Sequence, residues 1–155
     1  MDKVIGGRGR LIRLAAAALA GALGAGIVIG LTARLLMSAI TLAAAEESTF
    51  TLGGTAGVLL VFTVLSVPAA LTANAPPVVR LAGRWVTAAV TGWAVASTGF
   101  ADGAAVLLAP DGRMPLIAVV TVGFGATVVA HGQFAQFVAR RVAGSPAPAP
   151  VPAAV

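Results

Sequence analysis

The sequence predicts an all-α fold, a four-helix transmembrane bundle with both termini cytoplasmic. Three observations carry that expectation. Of 155 residues, 59% are hydrophobic and only 10% are charged, against about 25% charged in a typical soluble domain. The mean hydropathy is +1.00, and the apolar residues fall into four long stretches divided by short polar segments. The basic residues gather at alternate segments, the bias that orients helices in a bilayer.

The first element follows a basic flank, Lys3, Arg8, Arg10 and Arg13, with Asp2 as its one acid. Leu14 to Ala33 is an uncharged run of 20 residues, about 30 Å of helix and so one hydrocarbon core. Arg34 interrupts the run, which then resumes as far as Ala45 before Glu46 and Glu47, so the helix over 14–33 can extend to 45, overrunning the membrane or tilting. A basic start, an apolar run and Ala43-Ala44-Ala45 also fit a secretory signal with a cleavage site. The run is longer than a usual signal core and Arg34 precedes the site, which favours a retained helix.

The second span covers 52–73. Ser48-Thr49-Phe50-Thr51 supplies hydroxyls to cap its start, Pro68 falls one turn before its end, and Asn74-Ala75-Pro76-Pro77 stops it. Arg80 and Arg84 form a short basic segment, and a third span runs from Trp85 to Phe100, or to Ala109 if Asp102 is included. Pro110-Asp111-Gly112 is a turn, and the fourth span covers 114–139 up to Arg140-Arg141. Residues 1–143 thus make one transmembrane domain, and 144–155 a Pro/Ala-rich cytoplasmic tail expected to be disordered.

With the N-terminus inside, inner segments hold Lys3, Arg8, Arg10, Arg13, Arg80, Arg84, Arg140 and Arg141, whereas outer segments hold Arg113 alone. That asymmetry places the chain in the cell membrane as a multi-pass protein. It also explains a pI near 11.7 without nucleic acid as a partner. The absence of Cys rules out disulfides and thiolate chemistry within the chain, and a single His rules out a multi-histidine metal site. No cofactor and no metal is expected.

The candidate functional residues are the polar ones inside the spans. Arg34 lies near the far edge of the hydrocarbon, either snorkelling to headgroups or pairing inside the bundle. Asp102 lies at a matching depth on the third span, either as an intramembrane partner of Arg34 or as a loop residue. His131 falls about 14 Å from Arg140 and so near mid-bilayer, with Thr127 one turn away on the same face. An interhelical His–Thr hydrogen bond and a proton relay are both open for it. Gln133 and Gln136 can donate across helices in the same way. Ala22, Gly26 and Gly30 form a small-residue ridge suited to close helix crossing, within the chain or between copies. Ser97, Asp102 and His131 can be grouped as a triad, yet no nucleophile-elbow pattern surrounds Ser97, and catalytic residues are not expected.

Arg34-Leu35-Leu36-Met37 followed by Phe50-Thr51-Leu52-Gly53-Gly54-Thr55 resembles a family of small uncharacterised bacterial four-helix integral membrane proteins. The resemblance covers the first two spans and implies an integral membrane protein without bringing an activity. Fluoride channels and small multidrug transporters match in size and span number. The third span here reads Ser97-Thr98-Gly99-Phe100-Ala101 rather than a Phe/Thr/Ser filter, and the first span lacks the embedded Glu of the transporters. The leading expectation is a non-enzymatic accessory or scaffold subunit of the lipid bilayer, packing with itself or with a larger membrane partner. The alternative is a minimal oligomeric transporter or channel with Arg34, Asp102 and His131 lining a path.

Overall fold

The computed structural model describes residues 2–43, 51–99, 112 and 114–144, and its regular elements are all helical. They are α1 (Asp2–Ala43), α2 (Leu52–Leu65), α3 (Val67–Leu71), α4 (Pro77–Gly99) and α5 (Met114–Gly144). Glu46, Glu47, Asp102 and the tail from residue 145 lie outside the described residues.

α1 is one helix of 42 residues that runs straight through Arg34. At 1.5 Å per residue it is about 63 Å long. No proline interrupts it, and its glycines are embedded among alanines and leucines, which favour the helix. α2 starts where Thr51, in an extended conformation, accepts a hydrogen bond on Oγ1 from the Gly54 N–H at 3.1 Å. The second span is not one continuous helix. It breaks at Ser66, because Pro68 has no N–H to return to the Val64 carbonyl and its ring crowds that turn. The helix carrying the third span begins at Pro77, eight residues before Trp85. Proline suits a first helical turn, where its missing N–H would have no helical acceptor. Arg80 and Arg84 therefore sit on α4 rather than in a connecting segment. α5 continues five residues past Ala139, to Gly144. Gly112, in the turn before α5, holds φ at 88°, which glycine reaches without a Cβ clash.

The helices pack antiparallel, with α1 at the centre against α2, α3 and α5, while α4 rests on α3 and α5. Small residues set the spacing. The predicted ridge of Ala22, Gly26 and Gly30 is buried, and it meets α2 and α3 of the same chain. A Cβ added at Gly26 would lie 2.6 Å from Thr63 Cα and would overlap Thr63 Oγ1. Gly132 does the same for α4 and α5, its would-be Cβ standing 2.9 Å from the Arg84 backbone. Packing of this kind holds helices together where lipid removes the hydrophobic effect between them.

The bundle has two unlike halves. Towards Thr51 and Arg34 the core is dry: Ile29, Ala33, Phe62 and Phe124, with Leu36, Met37, Val58 and Val128 against them. A groove of about 350 Å³ opens there between α1, α2 and α4, lined by Met37, Gly57, Val58, Phe62, Leu65 and Val95. Towards the chain ends the core turns polar. Much of the described exterior is apolar, with Leu60, Trp93 and Val119 all more than 65% exposed. Three runs, Arg8–Leu42, Leu52–Leu71 and Met114–Gly144, are long and apolar enough to cross a membrane. Over its described residues α4 is less apolar, because it carries Arg80 and Arg84 as well as Thr87 and Thr91.

Candidate functional site

The polar residues of the core form two layers where α3 and its flanking residues meet α4 and α5. The first centres on His131, which is fully buried, as are Ser66 and Thr91 on either side of it. Ser66 Oγ lies 2.6 Å from His131 Nε2, and Thr91 Oγ1 lies 3.0 Å from Nδ1. The Ser66 hydroxyl already donates its one hydrogen to the Phe62 carbonyl at 2.7 Å. It can only accept from the ring, so Nε2 carries the proton and Nδ1 accepts from the Thr91 hydroxyl. The network thus selects one neutral tautomer. Phe62 packs beside the imidazole, ring centroids 5.4 Å apart.

The helix break supplies this arrangement. Ser66 lies at the junction of α2 and α3, and its position there turns the hydroxyl to α5. The Ala69 N–H, just past Pro68, donates to Thr87 Oγ1 on α4 at 3.1 Å. A side chain of the neighbouring helix thereby satisfies a donor at the broken turn, where no water would reach it.

The second layer lies about 7.5 Å further along α5, around Gln136, also fully buried. Its Oε1 accepts from Arg84 Nε at 2.7 Å. Its Nε2 donates to the Arg80 carbonyl at 2.7 Å and to Thr72 Oγ1 at 3.3 Å. One amide therefore ties α3, α4 and α5 together.

Among the residues singled out in the sequence, His131 is the hub of the first layer. Its threonine partner is Thr91 on α4, whereas Thr127 bonds the Gly123 carbonyl of its own helix at 2.8 Å. Gln136 bridges helices, and Gln133 faces outward. Arg34 is half-buried at the opposite end, beside the first turn of α2, with Nη2 3.6 Å from the place a Gly54 Cβ would occupy. It is not part of the His131 layer. Asp102, its expected partner, lies outside the described residues. Ser97 bonds the Ala94 carbonyl one turn back and has no contact with His131. Ser66, Thr87 and Thr91 were not anticipated. A signal for two of them was present, since Arg80, Arg84, Thr87 and Thr91 recur at spacings of four, three and four, a polar stripe on one helix face.

Fold and site together define an all-helical bundle with three membrane-competent helices and a closed polar layer in its core. Compared with known proteins, the chain matches no family model, no curated protein and no solved structure.

Proposed function

We propose that the chain is a non-enzymatic integral membrane protein, an accessory or scaffold subunit that acts through its outer surface. α4 joins the other helices as the fourth span, its polar face turned inward onto Ser66, His131 and Gln136 and its apolar face turned to lipid. The observation that carries this reading is the closure of the polar core. His131, Ser66, Thr91 and Gln136 are all 0% exposed; Ser66 and Thr91 bond the His131 ring, and Gln136 bonds Arg84, Thr72 and the Arg80 carbonyl. Among the described residues, this core offers no reactive group to a substrate, which favours the exterior as the surface that meets a partner. Trp93 on α4 supports this. It is 78% exposed and about 12 Å along the helix from Trp85, deeper than the interfacial belt where indoles usually reside. A partner's helix would cover it.

The charge asymmetry puts both termini in the cytoplasm. Reporters fused after Arg84 and after Arg141 are expected to behave as cytoplasmic, and one between Glu47 and Thr49 as external. An external signal at Arg84 would overturn that topology. Stoichiometry tests the role itself, measured after extracting the membrane patch around the chain without detergent. A second polypeptide at fixed ratio, lost on Trp93→Ala, supports the accessory role.

A second reading is favoured by the break at Pro68 beside His131. If α3 pivots there, His131 could pass protons in a minimal transporter. Proton flux in liposomes containing only this chain, abolished by His131→Gln, would support that reading over the first.

A further inference from the structure

We propose that Arg80, Arg84 and Arg140 form a binding site for the phosphate of an anionic phospholipid. Arg80 and Arg84 are one turn apart on α4, and Gln136 and Arg140 are one turn apart on α5. Gln136 bonds the Arg84 guanidinium and the Arg80 carbonyl, each at 2.7 Å, which ties these three residues into one seam, and helical spacing puts Arg140 on the Gln136 face one turn nearer the chain end. All three arginines are half-buried there, unlike Arg8, Arg10, Arg13 and Arg141, which are exposed. Like charges one helical turn apart repel, and partial burial sharpens the repulsion by lowering the effective dielectric. No described side chain is a carboxylate: the chain's acids are Asp2, Glu46, Glu47, Asp102 and Asp111. Among the described residues, the seam therefore gathers three cations with no carboxylate beside them.

The geometry suits a phosphate. The Gln136 bond fixes the plane of the Arg84 guanidinium through Nε and takes none of its Nη donors, which remain for the paired oxygens of a phosphate. A lipid is favoured over a soluble anion by the flank of the seam. Leu81 and Trp85, next to Arg80 and Arg84, are 53% and 60% exposed, an apolar wall for acyl chains beside an interfacial indole. Basic pockets between helices at the cytoplasmic leaflet hold anionic headgroups in this manner. The inference rests on the membrane reading above.

The test is reconstitution of the full chain into lipid nanodiscs of phosphatidylcholine with and without phosphatidylglycerol. Lipid retained per chain is then read by native mass spectrometry. Phosphatidylglycerol should be retained preferentially. Arg84→Gln and Arg140→Gln should each lower that preference about fivefold, the weight of one basic side chain near an anionic surface. Arg10→Gln should leave it unchanged. Arg140→Gln guards against a folding artefact, because Arg140 bonds nothing in the core, and Arg84→Lys separates the fork from the charge by giving an intermediate loss. No preference in a properly inserted chain, an equal loss in Arg10→Gln, or displacement of the lipid by millimolar inorganic phosphate would each overturn the site. A chain that stays out of the nanodiscs would instead overturn the membrane reading and the site with it.

Discussion

Replacing Gly26 with alanine tests the packing logic of the bundle with a single methyl group. The new Cβ would stand 2.6 Å from Thr63 Cα and 2.7 Å from Thr63 Cβ, where ordinary contact begins at 3.4 Å. Clearing Thr63 Cα alone requires the helices to part by at least 3.4 − 2.6, or about 0.8 Å, and the overlapping Oγ1 requires more. A rotamer change cannot relieve the clash, since Thr63 Cα and Cβ do not move with χ1, and Thr63 Oγ1 is held by the Leu59 carbonyl at 2.8 Å. Overpacking on this scale costs about 1–3 kcal/mol. Reversible unfolding in mixed micelles, followed by the fluorescence of Trp85 and Trp93, should show that loss. Adding Thr63→Ala should recover part of it, by removing the overlapping hydroxyl while the backbone contact remains. Gly125→Ala is the control, with nothing within 4 Å of its Cβ, and should be neutral or slightly stabilising. A Gly26→Ala protein as stable as the parent would show that α1 and α2 do not meet at this ridge.

Two further outcomes follow from the polar layers. Thr91→Val keeps the side-chain shape but leaves His131 Nδ1 without its donor, and should cost about 1–3 kcal/mol. Combined with Ser66→Ala the two losses should not add, because both hydroxyls hold one ring. Thr87→Val should cost a similar amount by stranding the Ala69 N–H, and hydrogen exchange at Ala69 should accelerate. Unchanged exchange there would mean that Thr87 does not cap the broken turn.

The all-helical character and the apolar runs were legible because hydropathy reports what a helix faces one residue at a time. The seam between helices was not. His131 stood out as the chain's one histidine, but its partners depend on the register of three antiparallel helices, which no local pattern encodes. Thr127 lay closest along the chain and Thr91 lies closest in space. Pro68 was visible, but the break at Ser66 was not expected from it, since a proline disturbs the turn before it rather than the helix after it. The helix α4 also begins before the expected span, at Pro77 rather than Trp85, because Arg80 and Arg84 read as residues flanking the span. Buried Gln136 gives them a place on the helix that their charge alone would not suggest.

The division of the core into a polar and a dry half makes the bundle mechanically lopsided. Near the chain ends, Gln136, His131 and Thr87 fasten α3, α4 and α5 by directional bonds that break only when geometry changes. At the other end the described core of Ile29, Phe62 and Phe124 packs through apolar surfaces beside the 350 Å³ groove, and such contacts are less directional than hydrogen bonds. A change in bilayer thickness or lateral pressure acts on the whole length of every helix. In the proposed membrane setting, strain would be taken up first at the apolar end, where α2 and α4 flank the groove, while the hydrogen-bonded end resists it.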